Sequence, residues 1–220
     1  MQRSNRFAVL ALVALAATVS FSQVLAGSVE LQSGSKLWLD GKSSIHEFKS
    51  TASSLKTTFG QNEAVWPANA TGGEAIERFL RAKGITSMEV VVGVTGLHSG
   101  KAGLDKNMYK ALLAPKYPEI RFRMASYEIA DGAKPGEMAI DATGALSVAG
   151  VEREIRMPVA AVREGETVRL RGSTPLLMSE YGIKPPTMMM GTLRTADKIV
   201  VSFDLLIGAK ASMVGASSAR

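Results

Sequence analysis

Between Leu104 and Met124 the chain runs LDKNMYKALLAPKYPEIRFRM, and this segment limits the fold more than any other because a helix pattern, a stop and a strand pattern follow one another. Asp105 is placed to cap a helix in which Met108 and Leu112, and Tyr109 and Leu113, recur four apart while Lys106 and Lys110 turn to water. Pro115 predicts its end, and Pro118 holds Tyr117 extended. Ile120, Phe122 and Met124 then alternate with Arg121 and Arg123 at the strand period of two. A helix leading into a strand with a single apolar face suits a sheet wrapped around one interior better than a parallel sheet covered on both sides.

The same period recurs along the chain. Short alternating runs fall at residues 36–40, 45–52 and 55–59 after a Gly/Ser-rich start at 27–35, and a longer one covers Met88 to Val94. Ile76, Phe79 and Leu80 have helical spacing ahead of Gly84, which predicts a short helix with its stop. Further strands are expected around Met138 to Asp141, Ile155 to Ala160, Val168 to Arg171 and Ile199 to Ile207, with Gly132 to Gly136, Gly150 and Gly165 as turns. The fold class expected is therefore mainly β: roughly eight antiparallel strands closed into a lipocalin-like barrel, with one or two short helices. A two-sheet sandwich satisfies the same periodicity, and the interior of an eight-stranded barrel can be filled by side chains or left open for one elongated ligand.

The N-terminus predicts export. Arg3 and Arg6 precede an uncharged apolar run from Phe7 to Phe21, too short for a bilayer span, and Val24 and Ala26 suit cleavage before Gly27. Residues 1–26 are thus read as a signal peptide and residues 27–220 as one domain, soluble and periplasmic or secreted. With no cysteine in the chain, acyl anchoring, disulfides and thiol catalysis drop out, so the core alone must stabilise the domain. Removing Arg3 and Arg6 leaves 24 basic against 20 acidic residues, interleaved rather than in runs. That balance gives no support to nucleic-acid binding and allows a weak, transient contact with an anionic membrane surface.

Reactive groups are few. Neither histidine, His46 nor His98, lies in a hydrolase or metalloprotease motif, and Ser44 with His46 lacks a third member, so no catalytic residue is assigned. Asp40, Glu47, Asp141, Glu152 and Glu154 form no calcium loop, and no metal or cofactor is expected. Met178, Met188, Met189 and Met190 around Pro185-Pro186 carry a Cu(I) alternative, although neighbours on an extended chain point to opposite faces and apolar gap filling accounts for them better. Trp38, Phe48, Phe59, Phe122 and Phe203 suit either a cavity wall or an ordinary core.

Four segments resemble the YceI-like domain family: LWLDGKSSIHEF at 37–48, LDKNMYKALLAPKYPEIRF at 104–122, TGALSVAGVEREIRMPV at 143–159 and YGIKPPTMMMGTLRTADKIVVSFDLLIG at 181–208. The resemblance implies a periplasmic lipocalin-like barrel that binds or carries an isoprenoid or similar amphipathic lipid and has no enzymatic step. The inward candidates for ligand contact are Ile120, Phe122, Met124, Met138, Ile140, Met157, Val168, Leu170, Val201 and Phe203, taken from alternation and subject to any bulge that shifts the phase. Lys101, Lys106 or Arg194 can meet a charged head group at a mouth. The alternatives are an adaptor with a filled barrel and, less favoured, the copper handler.

Overall fold

The computed structural model describes residues 26–188 and 193–212; all but the last residue of the segment expected to be a signal peptide, and Met189 and Met190, lie outside them. The strands are β1 (Ala26–Leu31), β2 (Lys36–Ser43), β3 (Glu47–Ala52), β4 (Lys56–Gln61), β5 (Ile85–Gly93), β6 (Leu97–His98), β7 (Glu119–Asp131), β8 (Glu137–Val148), β9 (Val151–Glu164), β10 (Thr167–Leu177), β11 (Thr187–Met188) and β12 (Leu193–Ser212). Two helices, α1 (Gly72–Arg81) and α2 (Ala102–Ala111), interrupt them.

The strands form an antiparallel sheet in the order β4-β5-β7-β8-β9-β10-β12-β2-β3-β6, with β1 and the two-residue β11 both paired to β12. The expected mainly-β, lipocalin-like class holds, but eight strands is an undercount: ten follow one path and β1 adds an eleventh. The undercount arises where periodicity has nothing to act on. Strand β1 lies in the Gly/Ser-rich start, and β6 and β11 are two residues each.

The sheet curls because β6, reached from β5 through a turn at Val94–Gly96, pairs with β3, Thr51 opposite His98. Between β4 and β1, where no ladder forms among the described residues, Gln61 spans the seam: its Nε2 donates to the Val29 carbonyl at 3.0 Å and its Oε1 accepts the Val29 N–H at 2.7 Å. A side-chain amide thereby satisfies two backbone groups that a strand edge would leave open.

Alternation is clearest on β8, where Met138, Ile140, Ala142, Leu146 and Val148 are all buried on one face. On β7 a bulge between Met124 and Ser126 changes the phase, so that Ile120, Phe122 and Met124 share the inner face with Tyr127 and Ile129 beyond it. The β8–β9 hairpin turns through Ala149 and Gly150, both at positive φ, as two-residue hairpins with right-handed twist require.

Both helices end on a left-handed residue. In α1 it is Lys83, with the Gly84 N–H donating to the Phe79 carbonyl; in α2 it is Leu113, with the Ala114 N–H donating to the Tyr109 carbonyl. Pro115 therefore follows a stop already made at Leu113. Asp105 is in the first turn of α2 rather than at its cap, which is Lys101, because its carboxylate is occupied by Ser99: the Ser99 N–H donates at 2.8 Å and its hydroxyl at 2.5 Å.

Candidate functional site: an apolar cavity under helix α2

The interior divides into two halves. At one end α1 buries Ala75, Ile76, Phe79 and Leu80 against Val29, Tyr127, Met138, Val168 and Ile207, a filled core in which Phe79, Ile76 and Val168 have no exposed surface. The Trp66 ring lies over Phe79 with centroids 4.9 Å apart, and the Tyr127 hydroxyl donates to the Leu80 carbonyl at 3.0 Å. This end is sealed.

The other end holds a cavity of about 240 Å³, a little below the roughly 300–1,000 Å³ usual for small-ligand sites. Its wall comes from Leu37 and Leu39 on β2, Phe48 and Ser50 on β3, Met88, Val90 and Val92 on β5, Ile120 and Phe122 on β7, and Ala142, Leu146 and Val148 on β8. Ile155, Met157 and Val159 on β9, Leu170, Thr174 and Leu176 on β10, and Ile199, Val201, Phe203 and Leu205 on β12 complete the circle. Leu104, Asn107, Met108 and Ala111 of α2 cover it together with Leu112 just after the helix, with Met178 and Tyr181 from the turn after β10 at its rim. Among the described residues no charged side chain lines it.

Six sequence candidates, Ile120, Phe122, Met157, Leu170, Val201 and Phe203, lie on this wall. The other four do not: Met138, Ile140 and Val168 belong to the filled core, and Met124 packs between the two apolar clusters. Alternation assigns a side chain to the inner face and carries no information on height along the barrel.

The wall stays thin because rings lie against glycines on the neighbouring strand. Phe48 is opposite Gly41 and Phe203 opposite Gly172, and a Cβ on either glycine would meet the ring at 2.3 and 2.4 Å. Four methionines from separate segments, Met88, Met108, Met157 and Met178, also face the cavity, and unbranched thioethers re-pack around guests of differing shape. The sequence cluster around Met188 places only Met178 there among the described side chains.

Helix α2 covers without sealing. None of its residues is fully buried, and its attachment is largely polar: the Asp105 contacts to Ser99, and the Tyr109 hydroxyl donating to the Leu97 carbonyl at 2.7 Å. The Ser99 hydroxyl holds the Asp105 carboxyl below its usual 3.8, and burial raises the Tyr109 phenol.

The remaining polar candidates are scattered. His46 Nδ1 is 2.8 Å from the Ser43 hydroxyl on an exposed turn, while the Ser44 hydroxyl accepts from the Arg194 N–H. His98 Nδ1 lies 3.8 Å from Asp105, whose other oxygen is taken by Ser99, and 3.3 Å from the Tyr109 hydroxyl, which donates to the Leu97 carbonyl. Asp40, Glu47, Asp141 and Glu152 pair with Lys49, Lys42, Arg156 and Arg123 respectively. Among the described residues no three metal-ligating side chains converge, and no helix is long and apolar enough to cross a membrane. Lys101, Lys106 and Arg194 are exposed and outside the cavity wall.

A curled antiparallel sheet, plugged by one helix and hollow beneath another, is the architecture of a binding barrel. The YceI-like domain family model matches residues 22–207, and the chain belongs to that family. Similar solved structures share the fold at low identity. BcnA of Burkholderia cenocepacia is 16% identical with a TM-score of 0.58, covering 80% of this chain and 99% of its own. A polyisoprenoid binding domain from Saccharophagus degradans, implicated in plant cell wall breakdown, is 14% identical with a TM-score of 0.58, over 84% and 99%. The YCEI protein of Campylobacter jejuni is 14% identical with a TM-score of 0.51, over 76% and 86%. No curated protein matches the sequence.

Proposed function

We propose that this protein sequesters an isoprenoid or similar amphipathic lipid, with the apolar chain held in the cavity beneath α2 and no covalent step. The observation that carries this is a hollow wall built mainly from eight strands without a charged side chain among the described residues, in a barrel whose opposite end is filled. A core that needed only to be stable would be packed throughout, since each unfilled methylene-sized gap forfeits contacts. Moving a prenyl chain out of water stabilises the complex by roughly 0.8 kcal/mol per CH₂, enough for useful affinity from burial alone. The polyisoprenoid binding domain of S. degradans, with the same fold, supports this ligand class.

Ile120, Phe122, Met157, Leu170, Val201 and Phe203 are the contacts we assign from the sequence candidates; Met124, Met138, Ile140 and Val168 form the floor and plug behind them. Residues 1–26 read as an export signal, which supports a carrier in the periplasm or outside the cell, and the lysines exposed on α2, Lys106 and Lys110, suit a brief encounter with an anionic bilayer. A filled-barrel adaptor is disfavoured by the cavity itself.

Native mass spectrometry after gentle purification tests the proposal. A bound species of lipid mass, or uptake of added geranylgeraniol at one per chain, is expected. Repeated absence of both would remove the carrier reading.

A further inference from the structure

The cavity is apolar except for the Asn107 amide and a few hydroxyls, and three of these hydroxyls are anomalous. Among the described side chains, the buried oxygen atoms of Ser50, Thr174 and Tyr181 have no hydrogen-bond partner, and all three residues line the cavity. Ser50 is 0% and Tyr181 3% exposed. A buried polar group is ordinarily paired, because an unmet donor keeps its desolvation cost.

Two of the three belong to one rung of the sheet. Ser50 on β3 is opposite Leu39 on β2, Leu39 is opposite Val201 on β12, and Val201 is opposite Thr174 on β10. Paired residues project from the same face, so Ser50 and Thr174 flank Leu39 and Val201 at one height in the lumen. Tyr181 is carried above them by the turn that follows β10, and burial raises its phenol, which stays a neutral O–H donor.

We propose that the guest is a neutral lipid bearing a hydrogen-bond-accepting oxygen, a carbonyl, which enters the cavity and is recognised by the hydroxyls of Ser50, Thr174 and Tyr181. A lipid with a charged phosphate at that depth finds no lysine or arginine on the wall among the described residues and would keep its full desolvation cost. A pure hydrocarbon leaves all three hydroxyls unmet. A carbonyl oxygen has two lone pairs, takes two of these donors without carrying charge, and remains compatible with the apolar wall around it.

This inference rests on the carrier reading, so its test separates the two. Wild-type protein and the Ser50→Ala, Thr174→Val, Tyr181→Phe triple variant are titrated with three probes: farnesylacetone, a neutral ketone; phytane, a saturated hydrocarbon; and farnesyl phosphate. Wild type is expected to favour farnesylacetone over both others. Since one net hydrogen bond changes affinity by about 2- to 10-fold, the triple variant should lose roughly 10-fold or more for the ketone while phytane binds unchanged or tighter. The variant should melt no lower than wild type; if it unfolds, Ser50→Ala and Thr174→Val are measured singly, each with a ketone-specific loss expected. Equal binding of ketone and phytane by wild type, preference for farnesyl phosphate, or an unaltered ketone preference in the variants overturns the inference and leaves the carrier reading standing. Binding of none of the three probes overturns both.

Discussion

Helices α1 and α2 are each ten residues long and each lies over one end of the same barrel, yet α1 buries five residues and α2 buries none. The contrast begins in composition. Gly73 and Ala75 let α1 approach the strands closely, a Cβ on Gly73 meeting the Gly165 carbonyl at 2.5 Å, so that Ile76, Phe79 and Leu80 reach into the floor. In α2 the inward positions are Leu104, Asn107, Met108 and Ala111, long flexible or small side chains that reach a void rather than a facing layer. One helix supplies stability and the other forgoes it, and the hollow end exists because the filled end supports the fold.

The sharpest break in this comparison is a matched pair of truncations. Phe79→Ala should cost about 3–5 kcal/mol in chemical denaturation, the range for emptying a buried aromatic site. Met108→Ala, on the half-buried inner face of α2, should cost under about 1 kcal/mol while speeding probe release several-fold. Similar losses from both would mean that α2 is core and not cover.

A smaller effect is expected at the wall. Gly41→Ala places a methyl group 2.3 Å from the Phe48 ring, so the ring must leave its strand and project into the lumen. Overpacking of this kind costs about 1–3 kcal/mol. Isoprenoid uptake per folded molecule should fall with it; unchanged uptake would show that Phe48 has room elsewhere.

Least of all is the effect of acid on the latch of α2. Asp105 has its carboxyl lowered in the folded state by the Ser99 hydroxyl, so its contribution is complete above the unfolded value near 3.8 and disappears as pH falls through the lower folded value. Hydrogen exchange in α2 should therefore accelerate relative to α1 only on entering that acid window, and Asp105→Asn should flatten the difference. Equal pH dependence in both helices would detach Asp105 from the cover.

Much of this was legible in the chain. The long strands β8 and β12 declare their inner faces through Met138, Ile140 and Val201, Phe203, and the family resemblance runs through segments that the fold places around the whole barrel. Depth was not legible. Met138 and Met157 are the same residue type at the same inward phase on adjacent strands, yet one is core and the other lines the cavity, because height is set by register and by which helix lies above. The hydroxyls did leave a signal: Phe48, Ser50 and Ala52 alternate on β3, and a serine at an inward phase is an exception that invites a question. Helix α2 starts earlier than its Asp105 suggested because the carboxylate serves Ser99 instead.

The glycines opposite Phe48 and Phe203 have a consequence for how such a container is specified. Guest size is written in atoms the wall lacks, on strands whose own side chains never meet the guest at those positions. A catalogue of lining residues would keep its composition while the capacity of the barrel changed by one methyl group on Gly41 or Gly172, so two relatives with identical linings can hold different cargo.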